Sequence, residues 1–202
     1  MKRIILVLII LLAFLLRFYQ LGTNPPSLYW DEASLGYNAF TIATSGNDEH
    51  GEILPIARFI AFGDYKPPGY IYATVPPILL FGLNEFSIRL PSMIAGLIMV
   101  VITYLLVKEL FGVEEVALIS SFLLSVSPWA LQFSRAAFEA NLAACFNLLG
   151  IYLFIFGELF VSRTQSTIPL LIPTQWISVT PRHGALMPYT RFPSFLILKR
   201  SE

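Results

Sequence analysis

Charge is scarce in this sequence. Asp, Glu, Lys and Arg make up 13% of its 202 residues, against about 25% in soluble domains. The formal net charge is zero, so there is no electrostatic basis for a nucleic-acid partner. Hydrophobic residues make up 56% and the mean hydropathy is +0.70. This composition indicates a protein that lies in a membrane.

Cysteine is almost absent as well. The single cysteine, Cys145, lies in a run of apolar and small residues, which favours a buried or lipid-facing side chain over thiol chemistry. A disulfide framework and a cysteine metal site are both excluded. No particular cofactor is predicted from the sequence.

The sequence contains several long apolar runs. A membrane-spanning helix needs about 20 apolar residues, and we expect four such spans at about residues 4–21, 90–107, 116–133 and 140–161. The predicted fold class is therefore an all-α, polytopic membrane protein. Residues 23–89 form its first extracytoplasmic loop, which is expected to carry amphipathic juxtamembrane helices.

The first run allows a second interpretation. Lys2-Arg3 followed by apolar residues is also how a cleaved signal peptide begins. However, Arg17 follows the run where a signal peptide would have a small-residue cleavage site. We interpret the run as a signal anchor or first span.

Residues 69–82 are apolar but short. Pro76-Pro77 lies in their middle, where proline breaks the hydrogen-bond ladder that a lipid-exposed helix needs. We expect this segment to lie along the interface or to dip partway into the membrane.

The charges predict a topology. Lys2-Arg3 places the N-terminus in the cytoplasm by the positive-inside rule. If residues 69–82 do not cross the membrane, Asp31, Lys66 and Arg135 all lie outside. If that segment does cross, Arg135 moves to the opposite face. We prefer the first version, a multi-pass cell-membrane protein, because it gathers the ionisable residues on one side.

The outer loop has a helix pattern of its own. Asp31 is expected to cap a helix over about residues 32–44 that ends near Gly46. The helix would lie on the membrane surface, and its apolar face consists of Ala33, Gly36, Tyr37, Phe40 and Ala43.

The character of the chain changes near residue 163. We expect residues 1–162 to form one membrane region. Residues 163–202 contain several prolines and no run long enough to span. They are predicted to be poorly ordered, or to be the aberrant end of a longer protein.

An ordered set of motifs carries a family resemblance. Over about residues 14–160, the chain resembles the N-terminal part of the polyprenyl-phosphate-dependent glycosyltransferases of the membrane C-type fold, especially the protein O-mannosyltransferases of family 39 and the bacterial lipid A aminoarabinose transferases. The motifs are Arg17, Trp30-Asp31-Glu32, Gly46-Asn47-Asp48, Lys66-Pro67-Pro68, Asn84-Glu85, Arg89-Leu90-Pro91-Ser92, Ser127-Pro128 and Ser134-Arg135.

The resemblance implies an inverting transfer of a hexose or pentose from a polyprenyl phosphate to a hydroxyl at the extracytoplasmic face. Asp31 would be the general base, and Glu32 would support it or orient the acceptor. Lys66 and Arg89 would lie near the leaving phosphate. A carboxylate can take the proton of an attacking hydroxyl, and fixed cations stabilise the charge of a departing phosphate.

Two further residues are implied as substrate-binding. Arg135 would lie at the outer end of the third span, and Glu139 occupies a position where relatives often have an aspartate. Since they are four residues apart, they could equally form a helix-surface ion pair.

Tyr65 stands where several relatives have an acid, so the resemblance leaves open whether a divalent metal is bound. The implied partners are a lipid-linked sugar donor, a protein or glycolipid acceptor, and membrane lipid.

Simpler roles compete with the catalytic ones. Asp31 can be only a helix cap, and Glu32 can be only an acid that favours the helix dipole. Lys66 and Arg89 can extend to the lipid headgroups without contacting a substrate.

Two other classes of protein also remain. One is a transporter or channel module in which Arg17, Arg135 and Glu158 line a pathway, although most charges lie near the ends of the spans. The other is an inactive membrane fragment that at most associates with a full-length partner.

Overall fold

The computed structural model describes residues 1–167, with side chains up to residue 161. This part of the chain is mostly helical, with one small β-hairpin. The elements are α1 (Lys2–Phe18), α2 (Trp30–Ser45), β1 (Phe59–Ala61), β2 (Asp64–Lys66), α3 (Pro68–Phe81), α4 (Glu85–Phe111), α5 (Glu114–Val126), α6 (Pro128–Arg135) and α7 (Glu139–Thr167).

The predicted all-α membrane fold is confirmed, but the spans differ in kind. Helices α4 and α7 are each long and apolar enough to cross a membrane. The third predicted span is a bent pair, because α5 and α6 meet at an angle of 56°. Helix α1 has 17 residues, or about 25 Å at 1.5 Å per residue. The predicted four spans are reached only when the bent pair and α1 are both counted.

The bend between α5 and α6 has a local cause. Ser127 has an extended backbone (φ −58°, ψ 121°), and Pro128 follows at the first position of α6. Proline has no N–H for the helical ladder and suits the first turn of a new helix. The chain therefore ends one helix and starts another in the middle of an apolar run.

Helix α3 corrects one expectation. The segment was predicted to be interrupted at Pro76-Pro77, but the helix continues through both prolines to Phe81. Pro77 and Ile78 are buried against the protein, and this packing keeps the helix together despite the missing donors. With 14 residues, α3 is about 21 Å long, shorter than the roughly 30 Å of a bilayer core.

Two apolar cores hold the helices together. The first lies beneath α2 and α3 and is closed by the hairpin; its buried residues include Leu35, Ala39, Phe59, Ile71 and Ile88. The second joins α1, α4 and α5 and includes Ile9, Ala13, Val100, Tyr104 and Ala117.

Helix α2 begins earlier than predicted. Asp31 is not its cap: the cap position is Tyr29, and Asp31 lies in the first turn. The backbone N–H of Tyr29 donates to Glu32 Oε2 at 3.0 Å, so Glu32 satisfies a donor that the helix start would otherwise leave free. Gly46 ends the helix with a φ of 74°, as predicted.

Only part of the face of α2 that was predicted to pack as one apolar stripe is outward: Ala33, Tyr37 and Phe40 are exposed, but Gly36 is buried. Leu35, Ala39 and Ile42 pack into the protein. Gly36 faces the Ile88 side chain so closely that a Cβ would overlap it. Helix α2 therefore lies tightly against α4 and turns an aromatic face outward.

The β-hairpin was not expected. Strands β1 and β2 pair antiparallel, with Phe59 opposite Lys66 and Ala61 opposite Asp64. The two turn residues, Phe62 and Gly63, both have positive φ, at 53° and 77°. The hairpin fixes Lys66 immediately before α3.

The expectation for the tail falls largely outside the described residues. Helix α7 continues to Thr167, and residues 168–202 lie beyond the part of the chain that the structure describes.

Candidate active site

Asp31 and Lys66 form a close ion pair where α2 begins and β2 ends. Lys66 Nζ lies 2.7 Å from Asp31 Oδ1, and the two side chains are 12% and 24% exposed. The hydrogen bond to Asp31 raises the pKa of Lys66 above its usual value, against the opposing effect of burial. Lys66 is therefore an ammonium ion at every physiological pH. The pair remains accessible to a ligand.

Glu32 and Arg89 form a second pair, which is buried behind the first. Arg89 Nε donates to Glu32 Oε1 at 3.0 Å, and Arg89 Nη2 donates to Oε2 at 3.1 Å. The Glu32 carboxylate also accepts the N–H groups of Tyr29 and Ala137. The side chains of Glu32 and Arg89 are 2% and 0% exposed.

The remaining donors of Arg89 bind the backbone. Its two terminal nitrogens donate to the carbonyl oxygens of Leu21, Pro25 and Ser27 at 3.2, 2.9 and 2.7 Å. All five guanidinium N–H groups thus have acceptors in the protein. The predicted place of Arg89 beside a leaving phosphate stays a prediction, and in this structure the side chain ties α4 to the segment before α2.

Glu139 is the other carboxylate near the ion pair. It is the first residue of α7, and its negative charge contributes to the raised pKa of Lys66. Its Oε1 atom is buried and has no hydrogen-bond partner within the described residues. Ala137, two residues earlier, donates its N–H to Glu32 at 2.7 Å, which fixes the start of α7 next to α2.

Arg135 is directed to the end of α1. It donates to the carbonyl oxygens of Leu16, Tyr19 and Asn24 at 2.8, 2.8 and 3.0 Å. These include carbonyls that the last turn of a helix leaves free. Arg135 ends α6 while Glu139 begins α7, so a helix-surface ion pair between them is not formed.

The predicted site residues therefore separate into three sets. Asp31, Lys66 and Glu139 lie together with partly accessible or unpartnered charged groups. Glu32 and Arg89 form a saturated, buried support, and Arg135 joins α6 to α1. The site presents a carboxylate, which can take a proton, beside an ammonium group, which can stabilise an anion.

Sequence reasoning missed several supporting contacts. Asn141 Nδ2 donates to the backbone and side-chain oxygens of Ser92 at 2.9 and 3.0 Å, and Ser92 Oγ donates to the Phe133 carbonyl at 2.8 Å. The buried hydroxyl of Tyr70 donates to the Ile88 carbonyl. A sequence pattern could have pointed to Ser92, because it ends the Arg-Leu-Pro-Ser motif. No such pattern pointed to the contacts of Asn141 and Tyr70.

A transporter pathway would need Arg17, Arg135 and Glu158 to line one channel, and the structure does not place them so. Arg17 is fully buried and donates to the Ser125 and Leu124 carbonyls at the end of α5. Glu158 lies exposed on α7.

Within residues 1–161, no group of three His, Cys, Asp or Glu side chains is placed to hold a metal ion, so no set of metal ligands is assigned.

Comparison with known proteins identifies the family. The family model described as dolichyl-phosphate-mannose-protein mannosyltransferase matches residues 65–167, about half of the chain. The chain belongs to this family. The match begins at the hairpin strand that carries Lys66 and includes Arg89, Arg135 and Glu139. Asp31 and Glu32 precede the matched segment.

One curated protein is also similar to this chain. The Bacillus subtilis (strain 168) protein named "Putative mannosyltransferase YkcB" is 29% identical over 145 residues, which cover 67% of this chain and 20% of that protein. The chain thus spans about a fifth of the relative's length. No solved structure matches the chain.

Proposed function

We propose that this chain carries the acceptor-activating and donor-phosphate-binding groups of a membrane glycosyltransferase that uses a polyprenyl-phosphate sugar. The family implies a lipid-linked sugar donor and an acceptor that becomes glycosylated. Transfer to a protein or glycolipid hydroxyl, with inversion at the sugar, belongs to the proposal. The observation that carries it is the accessible Asp31–Lys66 pair, 2.7 Å apart.

The pair accounts for the main step of such a transfer. The acceptor hydroxyl attacks the anomeric carbon from the side opposite the phosphate while Asp31 takes the hydroxyl proton. The bond between the anomeric carbon and the phosphate oxygen breaks, and its electron pair leaves with the phosphate. The Lys66 ammonium group stabilises this growing negative charge.

Donor binding gives the ion pair a further purpose. A carboxylate held by an ammonium group is a poor base, because the cation stabilises its charged form. An incoming phosphate competes with Asp31 for Lys66. Asp31 then loses its ion-pair partner and can contact the acceptor hydroxyl only when the donor is present, which couples activation of the acceptor to donor binding.

Glu32 and Arg89 support this geometry without contacting the reacting atoms. Their pair joins the starts of α2 and α4, and Glu32 also holds the N–H of Ala137. Asp31 and Glu139 are each one or two residues from these anchors. Glu32 thus has a supporting role, and Arg89 is the residue that pairs with it.

An apolar cavity favours a lipid-linked donor. It measures about 270 Å³ and lies between α3, α4 and α7. On α7 the cavity begins at Leu142, one turn after Glu139, and on α4 it begins at Pro91, two residues after Arg89. Its lining includes Ala73, Ala95, Cys145 and Phe146. An isoprenoid chain in this cavity would have its phosphate near the charged residues.

The chain's short length favours a second candidate. Since it spans 20% of its Bacillus relative, this portion can bind the donor while transfer requires the rest of a longer enzyme. In that case the 202 residues bind a polyprenyl-phosphate sugar and do not turn it over.

Transfer can be followed in membranes that contain the chain and a radiolabelled polyprenyl-phosphate mannose. We expect Asp31→Asn to lower transfer at least about a hundredfold, the usual contribution of a general base, with unchanged membrane insertion. Asp64→Asn is the matched control. Asp64 lies 3.5 Å from Lys66 but is 72% exposed, and transfer should be preserved.

Two outcomes separate the alternatives. Wild-type turnover by Asp31→Asn would remove Asp31 from the mechanism. If wild type shows no transfer but binds the labelled lipid, and Lys66→Gln loses this binding, the chain is the donor-binding part of a larger enzyme.

A further inference from the structure

The hairpin turn beside the ion pair holds an aromatic residue in a strained backbone conformation. Phe62 and Gly63 are the two central residues between paired Ala61 and Asp64, with φ values of 53° and 77°. This is the geometry of a type I′ turn, in which Asn-Gly is preferred at these positions. A bulky residue with positive φ is uncommon and costs energy.

Burial does not offset this strain. Phe62 is 69% exposed, so its ring adds little to the apolar core. The ring instead stacks on Trp30, with centroids 5.7 Å apart and planes 19° from parallel. Trp30 is itself 57% exposed, and Tyr29 contacts it edge-on at 5.9 Å. The turn therefore presents an open aromatic surface formed by Tyr29, Trp30 and Phe62.

This aromatic surface adjoins the proposed reaction centre. Trp30 immediately precedes Asp31, and Phe62 lies four residues before Lys66 on the same hairpin. The ion pair between Asp31 and Lys66 brings these two segments together. The ion pair and the stack of Trp30 on Phe62 thus join the same two segments, the start of α2 and the hairpin.

We propose that Trp30 and Phe62 form the platform on which the sugar ring of the lipid-linked donor stacks. The C–H groups of a pyranose carry small positive charges and pack well on the negative face of an aromatic ring. Stacking would turn the anomeric carbon toward Asp31 and leave the phosphate with Lys66. The inference rests on the proposed function and adds the residues that recognise the sugar.

Binding of two lipids tests this role directly. The full chain in detergent is titrated with a short polyprenyl phosphate and with the same lipid carrying mannose, and the ratio of the two affinities isolates the sugar's contribution. Phe62→Asn removes the ring but suits the turn, so the hairpin should persist. We expect it to weaken binding of the mannosyl lipid by about three- to tenfold and to leave binding of the bare lipid unchanged. Phe62→Tyr should behave as wild type.

Ile56→Asn is the matched control, because Ile56 is an 84% exposed apolar residue of the same outer segment. It should change neither affinity. If Phe62→Asn weakens both lipids equally, or neither, the platform is refuted; the first result would make the ring a membrane contact. If wild type binds neither lipid, the proposed function itself fails and the platform fails with it.

Discussion

The pair formed by Glu32 and Arg89 shows how a buried charge becomes acceptable at a membrane boundary. Removing two ions from water costs several kcal/mol each, and attraction offsets this only when the remaining donors and acceptors are filled. Here the five N–H groups of Arg89 and both oxygens of Glu32 have partners. This hydrogen-bond network fixes the first turn of α2, where Asp31 lies.

Breaking this pair should unfold the site. We expect Arg89→Met and Glu32→Gln each to lower stability by about 3–5 kcal/mol, because each leaves a buried group without its partner. Thermal unfolding in detergent measures the loss. Lys2→Gln is the control: Lys2 pairs with Glu115 at 2.6 Å but both are largely exposed, so the melting temperature should hardly change. An Arg89→Met variant with normal stability and lost donor binding would make Arg89 a phosphate ligand instead.

The sequence could single out Asp31, Glu32, Lys66 and Arg89, but it could not predict which of these residues pair with each other. Asp31 and Glu32 are adjacent, and their side chains point about 100° apart on a helix, so one meets Lys66 while the other turns inward to Arg89. That choice depends on α4, 57 residues away. The partners of Arg89 include three backbone carbonyls, which leave no pattern in a sequence.

Helix ends explain much of the arrangement of elements. Arg17 binds the carbonyls at the end of α5, and Arg135 binds those at the end of α1. Each arginine supplies donors that a helix end needs and a charge that its dipole favours. The apolar runs predicted where helices would lie. They could not predict the bend after α5, since Ser127 and Pro128 occur inside a continuous apolar stretch.

Close contact between α4 and α6 depends on Gly96. A Cβ at this position would overlap Ser134 Oγ, lie 2.6 Å from Ser134 Cβ and lie 3.1 Å from Arg17 Nε. We expect Gly96→Ala to destabilise the protein by about 1–3 kcal/mol through overpacking, measured as a lower melting temperature. Gly150→Ala on α7 has open space around it and should be neutral or slightly stabilising. Equal melting temperatures for the two variants would contradict this packing.

At the scale of the described part of the molecule, the charged residues of α1, α4 and α5 lie near the two ends of these helices. Lys2 contacts Glu114 and Glu115, and Lys108 lies 4.0 Å from Glu114. These contacts bring the starts of α1 and α5 to the end of α4. The opposite ends of the same helices carry Arg17, Arg89 and the site. The sequence predicted that Asp31, Lys66 and Arg135 lie on the outer side, and charges at the ends of spans avoid the cost of the membrane interior.

This separation leads to a prediction of topology: the site lies outside the cell, and Lys108 lies inside. In a Cys145→Ala background, cysteine placed at Asp31, Lys66 or Arg135 should react with an impermeant thiol reagent in intact cells. Cysteine at Lys108 should react only after the membrane is permeabilised, because α3 is shorter than a bilayer core and α4 is long and apolar enough to cross one. Labelling of only one or two of the three outer positions would overturn this topology. Loss of labelling at Arg135 alone, with Lys108 labelled in intact cells, would mean that α3 crosses and that Arg135 lies across the membrane from Asp31 and Lys66.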